Sequence, residues 1–107
     1  QYKAMKDLCR ILGILIDNSI EAAEETDEKS VDIRIAKMEH GYQIIIQNTY
    51  FTKPDLAHLY QKGYSTKGAD RGLGMYYAHE MILEHEEIEF EFEIQEHVII
   101  QKIYIEL

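Results

Sequence analysis

The chain has 107 residues, enough for one domain built on one main core. With 46% hydrophobic and 29% charged residues, its composition is that of a globular protein and not of a disordered one. The formal net charge of −9 would repel duplex DNA and acidic lipid, which argues against nucleic-acid partners and against membrane contact by this domain.

The opening residues carry no charged leader, and the chain starts without Met in a helical pattern, as expected of an excised domain. From about Tyr2 to Glu25, Met5, Leu8, Ile11, Leu12, Leu15, Ile16 and Ser19 recur on one broad face of a helix. Gly13 interrupts it, and the acidic cluster Glu24, Glu25, Asp27 and Glu28 is expected to end it in solvent. Cys9 is the sole cysteine; beside Leu8 and Ile11 it reads as a buried thiol in a reducing, cytoplasmic setting.

A period-two segment follows, with Val31, Ile33 and Ile35 on one side and Asp32 and Arg34 on the other. After a turn near His40-Gly41, a second strand places Tyr42, Ile44, Ile46 and Asn48 in phase, so a hairpin packed on the helix is expected. Thr52, Pro54 and Asp55 can open a short helix through about Gln61. Four of the six glycines then bunch at Gly63, Gly68, Gly72 and Gly74. A further helix spans about Leu73 to Glu86. Two strands close the chain, the first with Ile88, Phe90, Phe92 and Ile94 inward and glutamates outward, the second over about His97 to Ile105. This order predicts an α+β fold: a two-layer sandwich whose mixed, mostly antiparallel sheet is covered on one face by helices.

Two polar features do not belong to this pattern. Asp17-Asn18 sits in the middle of the first helix, where both residue types compete with the backbone for hydrogen bonds. Asn18 shares a stripe with Ile14, Leu15 and Ala22, with Glu21 one turn on. Either it is a core asparagine satisfied by backbone, or its amide oxygen completes the shell of a hard cation such as Mg²⁺. The other feature is GYSTKGADRGLGM, in which glycines, Lys67 and Arg71 run into a helix N-terminus. That is either a surface loop with incidental charges or a phosphate cradle. It is not a Walker A motif, since Lys67 precedes Gly72 and Gly74.

Together these two segments resemble the GHKL superfamily of ATP-binding domains, which has the Bergerat fold. LGILIDNSIEAAEE looks like its N box and STKGADRGLGM like its second glycine box, and the resemblance covers essentially the whole chain, residues 1–107. DNSIEA and YSTKGADRGLGM are most similar to peptide-sensing quorum receptor kinases of the AgrC-like and ComD-like group. The resemblance implies the catalytic domain of a sensor histidine kinase, the cytoplasmic part of an integral membrane receptor in a two-component system. Its partners would be the dimerisation helix that bears the phosphoacceptor histidine, and a downstream response regulator.

By that resemblance Asn18 would bind Mg²⁺, while Lys67, Gly68, Arg71, Gly72, Leu73 and Gly74 lie along the ATP phosphates. An ATP lid would span about 52–72. Asn48 stands where the family carries an aspartate for adenine, with NTYFT in place of the following glycines. Ile14 occupies the position of the hydrolytic members' general base, which favours phosphoryl transfer over hydrolysis, and Glu21 replaces a lysine common in other kinases. His40, His58, His79, His85 and His97 all read as surface or boundary residues and none as the acceptor. The alternatives are a non-catalytic nucleotide-binding or scaffold module and a serine kinase of the anti-sigma type.

Overall fold

The structure, a computed structural model, describes residues 2–55 and 74–107. Helix α1 runs Tyr2–Glu24, strand β1 Val31–Lys37, β2 Gly41–Thr49, helix α2 Gly74–Leu83, β3 Ile88–Ile94 and β4 Val98–Glu106. Each hairpin contributes its second strand to the centre, so the sheet order is β1-β2-β4-β3 and every described pairing is antiparallel. The order and the two layers agree with the sequence pattern.

The pleat decides which side chains meet the helices. Ile44, Ile46 and Asn48 of β2 share a face with Ile99, Gln101, Ile103 and Ile105 of β4, and all seven are buried. Leu8, Ile11 and Leu15 of α1 and Ala78 and Ile82 of α2 close over them in one cluster. Fully burying an aliphatic side chain such as Ile11, Leu15, Ile46 or Ile103 contributes roughly 1.5–3 kcal/mol. Glu89, Glu91 and Glu93 point the other way and are exposed, as their alternation predicts.

Gly41 fixes where the hairpins meet. A Cβ there would collide with the carbonyl oxygen of Ile105, so only glycine lets β4 come this close. Nearby, Leu107 N–H donates to His40 O at 2.8 Å and ties the end of the chain to the first hairpin.

Several expectations need correction. The buried stripe of α1 is Ala4, Asp7, Leu8, Ile11, Leu15, Ser19 and Ala23; Met5 lies outside it and Cys9 is exposed, not buried. Ile33 and Ile35 do face the helix side, as partners of Ile46 and Ile44, yet remain 47% and 69% exposed. The hairpin therefore packs through β2, with β1 at the sheet edge. No helix begins at Thr52: residues 51–55 are irregular, and 56–61 lie outside the described residues. Tyr50 explains the start of this path, because its N–H donates to His97 O (3.2 Å) and its hydroxyl to Gln95 O (2.9 Å).

Helix α2 stops at Leu83 and not at Glu86. Glu84 N–H and His85 N–H donate back to Met81 O and Ile82 O, tightening the last turn. His85 then drops inward: its side chain is 10% exposed and its Nε2 lies 2.8 Å from Asp7 Oδ2. It is a structural tie between α1 and the α2–β3 turn, unlike the surface histidine the sequence suggests.

Helix α1 ends at Glu24, and Glu24, Glu25, Asp27 and Glu28 are all exposed, as the sequence predicts; between them Thr26, only 9% exposed, adds contacts that the sequence does not announce. Its hydroxyl donates to Ala23 O (2.7 Å) and accepts from Lys29 N–H (2.9 Å), while Lys29 takes a left-handed φ of 48°. Thr26 Oγ1 also lies 2.8 Å from Thr49 Oγ1, so with its own proton committed it accepts from Thr49.

Candidate functional site

Three elements carry the described candidate residues. Helix α1 brings Asn18, the end of β2 carries Asn48 one residue before its last, and α2 begins with Gly74. Asn18 is half-buried, as its stripe predicts, while its neighbour Asp17 is exposed and Glu21 is half-buried.

Gly74 stands against Asn18. A Cβ built on Gly74 would lie 3.8 Å from Asn18 Oδ1, 3.9 Å from Asn18 Nδ2 and 3.2 Å from Ile14 Cγ2. The structure thus joins the end of the glycine-rich run to the mid-helix asparagine, fifty-six positions away in sequence. Ile14, which offers no acid or base, packs beside that junction. Gly74, the first described residue of α2, thus sets its bare backbone beside an amide side chain.

Asn48 is 2% exposed and continues the inward set of β2, as its phase predicts. Its Nδ2–H donates to Thr49 O at 2.9 Å, which orients the amide with Oδ1 as its acceptor end. Thr49 is held in turn by Thr26 and by Ser30 N–H (3.2 Å), so the end of β2 is fixed against the end of α1. Lys67, Gly68, Arg71, Gly72 and Leu73 lie outside the described residues.

Sequence reasoning missed a buried polar pair beside these residues. Gln101 of β4, 2% exposed, donates from Nε2 to Oγ of Ser19, 1% exposed, at 3.0 Å. The signal was available: Gln101 interrupts the inward set Ile99, Ile103, Ile105. A separate groove of about 630 Å³ opens between α1 and α2, lined by Arg10, Gly13, Ile14, Asp17, Tyr77 and Met81 among others. Asn18, Asn48 and Gln101 do not line it.

Comparison with known proteins decides the family. A family model described as "GHKL domain" matches residues 4–106. The chain belongs to the GHKL domain family. Sensor protein CitS of Bacillus subtilis (strain 168) is 36% identical over 73 residues, covering 66% of this chain and 14% of CitS. This GHKL chain therefore spans about a seventh of that relative's length.

Among solved structures, Acinetobacter baumannii histidine kinase AdeS superposes with a TM-score of 0.71 at 18% identity, covering 94% of this chain and 46% of that one. The catalytic domain of histidine kinase ThkA, in a nucleotide-free form, gives 0.70 at 20% identity and covers 94% and 66%. At these identities the likeness is one of fold: the GHKL domain has the α+β architecture of histidine kinase catalytic domains.

Among the described residues no group of three or more His, Cys, Asp or Glu could hold a metal ion. Among the same residues no helix is long and apolar enough to cross a membrane.

Proposed function

We propose that this GHKL domain is the ATP-binding catalytic domain of a sensor histidine kinase, acting in quorum-sensing signal transduction. It would bind Mg-ATP and present the γ-phosphate to a histidine on a separate dimerisation helix, for relay to a response regulator. The junction of Gly74 with Asn18 carries the reading, because it brings a hard-cation amide to the mouth of a glycine-rich helix start.

The residues present fit that ligand. Asn18 offers an amide oxygen to Mg²⁺, and Asn48 offers an oriented Oδ1 to the adenine amino group. Lys67 and Arg71, with the amides of Gly68, Gly72, Leu73 and Gly74, would neutralise phosphate charge. The lid would be the segment 52–72. Bound Mg²⁺ would supply further charge neutralisation. Transfer then needs the acceptor imidazole nitrogen in line with the γ-phosphorus and ADP as leaving group, and Ile14, packed at Gly74 beside Asn18, has no acid-base group with which to activate water.

The relatives support this reading by their names: CitS is a sensor protein, and AdeS and ThkA are histidine kinases. Of the described histidines, His40 and His97 are exposed in turns, His79 is half-buried on α2 and His85 is engaged with Asp7. On this reading the acceptor is a histidine outside this domain.

The test is calorimetric titration with Mg-ATP, repeated on Asn18→Ala, followed by labelled ATP with a supplied dimerisation-helix fragment. Binding that weakens at least tenfold in Asn18→Ala, and acid-labile label on the fragment's histidine, are expected. Absence of ATP binding would leave a scaffold module, and acid-stable label on serine would make it an anti-sigma-type kinase.

A further inference from the structure

The described sheet ends in two edge strands, β1 and β3, and their side chains treat a second copy differently. A strand edge presents N–H and C=O groups that another chain can pair with, and proteins shield such edges with proline, bulges or charge. On β3 the exposed face carries Glu89, Glu91 and Glu93, so a second β3 laid against it would bring glutamate against glutamate. Strand β1 lacks that guard. It contains no proline, and its residues oppose those of β2 one to one, without a bulge. Asp32 to Lys37 are all exposed, including Ile33 and Ile35.

The hairpin fixes which backbone groups of β1 point outward. Met38 N–H donates to Gly41 O at 2.8 Å and Thr49 N–H to Ser30 O at 3.1 Å. Even-numbered residues of β1 therefore turn their backbone groups to β2, and Val31, Ile33 and Ile35 turn theirs to the open edge.

We propose that β1 pairs with β1 of a second copy, antiparallel and centred on Ile33, joining two four-stranded sheets into one across a two-fold axis. Charge selects this register. With Ile33 opposite its own copy and Val31 opposite Ile35, the outward backbone groups meet as hydrogen-bonded pairs. Asp32 then falls opposite Arg34 on both sides of the axis, in the closer non-hydrogen-bonded positions with Cβ atoms about 4.5–5.5 Å apart. Moving the centre to Arg34 or to Asp32 would set like charge against like. On the other face, Val31, Ile33 and Ile35 of both copies form one apolar stripe and leave water together. Lys29, at φ 48°, has already turned out of the strand, which ends the pairing before it meets Lys37 of the second copy. The strand bears one acid and two bases in a chain of net charge −9, so repulsion between copies is weak along this edge.

A contact of this size makes a transient dimer. On the kinase reading it gains weight, because dimerisation helices would hold two copies at an effective concentration on the order of millimolar. The pairing itself does not depend on that reading.

The test is sedimentation equilibrium of the full chain up to about 1 mM, the concentration range of a tethered pair. Wild type should dimerise within it. Asp32→Arg and Arg34→Asp should each weaken the dimer at least roughly fivefold, since each sets like charges opposite one another twice. An equimolar mixture of the two variants should recover it as a heterodimer, because arginine then meets aspartate at both positions. A monomeric wild type, single variants that dimerise as well as it does, or a mixture no tighter than its components overturns the proposal. Circular dichroism checks that the variants fold, and hydrogen exchange on the wild type decides if they do not. The amides of Ile33 and Ile35 should exchange several-fold more slowly at high concentration, while those of Asp32 and Arg34, already turned to β2, should not change. Equal behaviour of the two sets also overturns it. No nucleotide enters either measurement, so ATP binding stands or falls separately.

Discussion

Gly74 and Asn18 are neighbours across the α1–α2 contact, with room at Gly74 for no more than a hydrogen before the Ile14 methyl is crowded. Alanine there needs Ile14 to yield only a few tenths of an ångström, and its methyl would reach the Asn18 amide at ordinary contact distance. Stability of Gly74→Ala should change by less than about 1 kcal/mol in urea melts. Mg-ATP affinity should fall several-fold, and in Gly74→Val at least tenfold, or about 1.4 kcal/mol. A valine variant that binds Mg-ATP like the wild type would separate this glycine from the site.

The Asp7–His85 tie makes a pH-dependent contribution to stability. Asp7 accepts from His85 at 2.8 Å and from Lys3 Nζ at 3.1 Å. The hydrogen bond from His85 chiefly, and then that from Lys3, hold its carboxyl below the ordinary value of 3.8. A depressed folded-state value means the stabilisation is complete above the unfolded value and is lost as pH falls through the folded one. Asp7→Asn should therefore be less stable than wild type near neutrality, and the gap should close below about pH 4. Urea melts from pH 7 to pH 3 on both chains measure it; a gap that stays constant to pH 3 contradicts the assignment.

Two other glycines predict opposite outcomes. A Cβ at Gly41 would strike the Ile105 carbonyl, which is backbone and cannot swing aside. Gly41→Ala should cost about 1–3 kcal/mol as β2 and β4 are forced apart. A Cβ at Gly13, within α1, would meet nothing within 4 Å. Gly13→Ala should stabilise by up to about 1 kcal/mol, from helix propensity and a less flexible unfolded chain. Denaturant midpoints of the two variants should move in opposite directions.

Most of the fold was legible because period and phase are local properties. The alternation that points Ile44, Ile46 and Asn48 inward is written in β2 itself, and the core helix stripe in α1. Which hairpin strand would lie under the helix was not, since Ile33 and Ile35 alternate as cleanly as Ile44 and Ile46 yet sit at the edge. Asn18 and the glycine run were visible as anomalies in their own segments. Gln101 is visible as a polar break in the inward set of β4, but its role, like those of His85 and Thr26, comes from a partner distant in sequence: Ser19, Asp7 and Thr49.

The Thr26–Thr49 contact should be measurable as a coupling. Thr26 spends its proton on Ala23 O and accepts from Lys29 N–H, so the proton between the two hydroxyls belongs to Thr49. Thr26→Val removes an acceptor that two donors share and should cost about 1–3 kcal/mol. Thr49→Val removes one donor to Thr26 and the acceptor used by Ser30 N–H, which is exposed and can turn to water, so about 1 kcal/mol is expected. Because the two changes delete the same bond, the double variant should lose less than their sum, by about 0.5 kcal/mol or more. Strict additivity in a double-mutant cycle would mean that the end of α1 and the end of β2 are held by packing alone. The same cycle read by Mg-ATP titration should show weakened binding in each single variant, since Thr49 O is what orients the Asn48 amide.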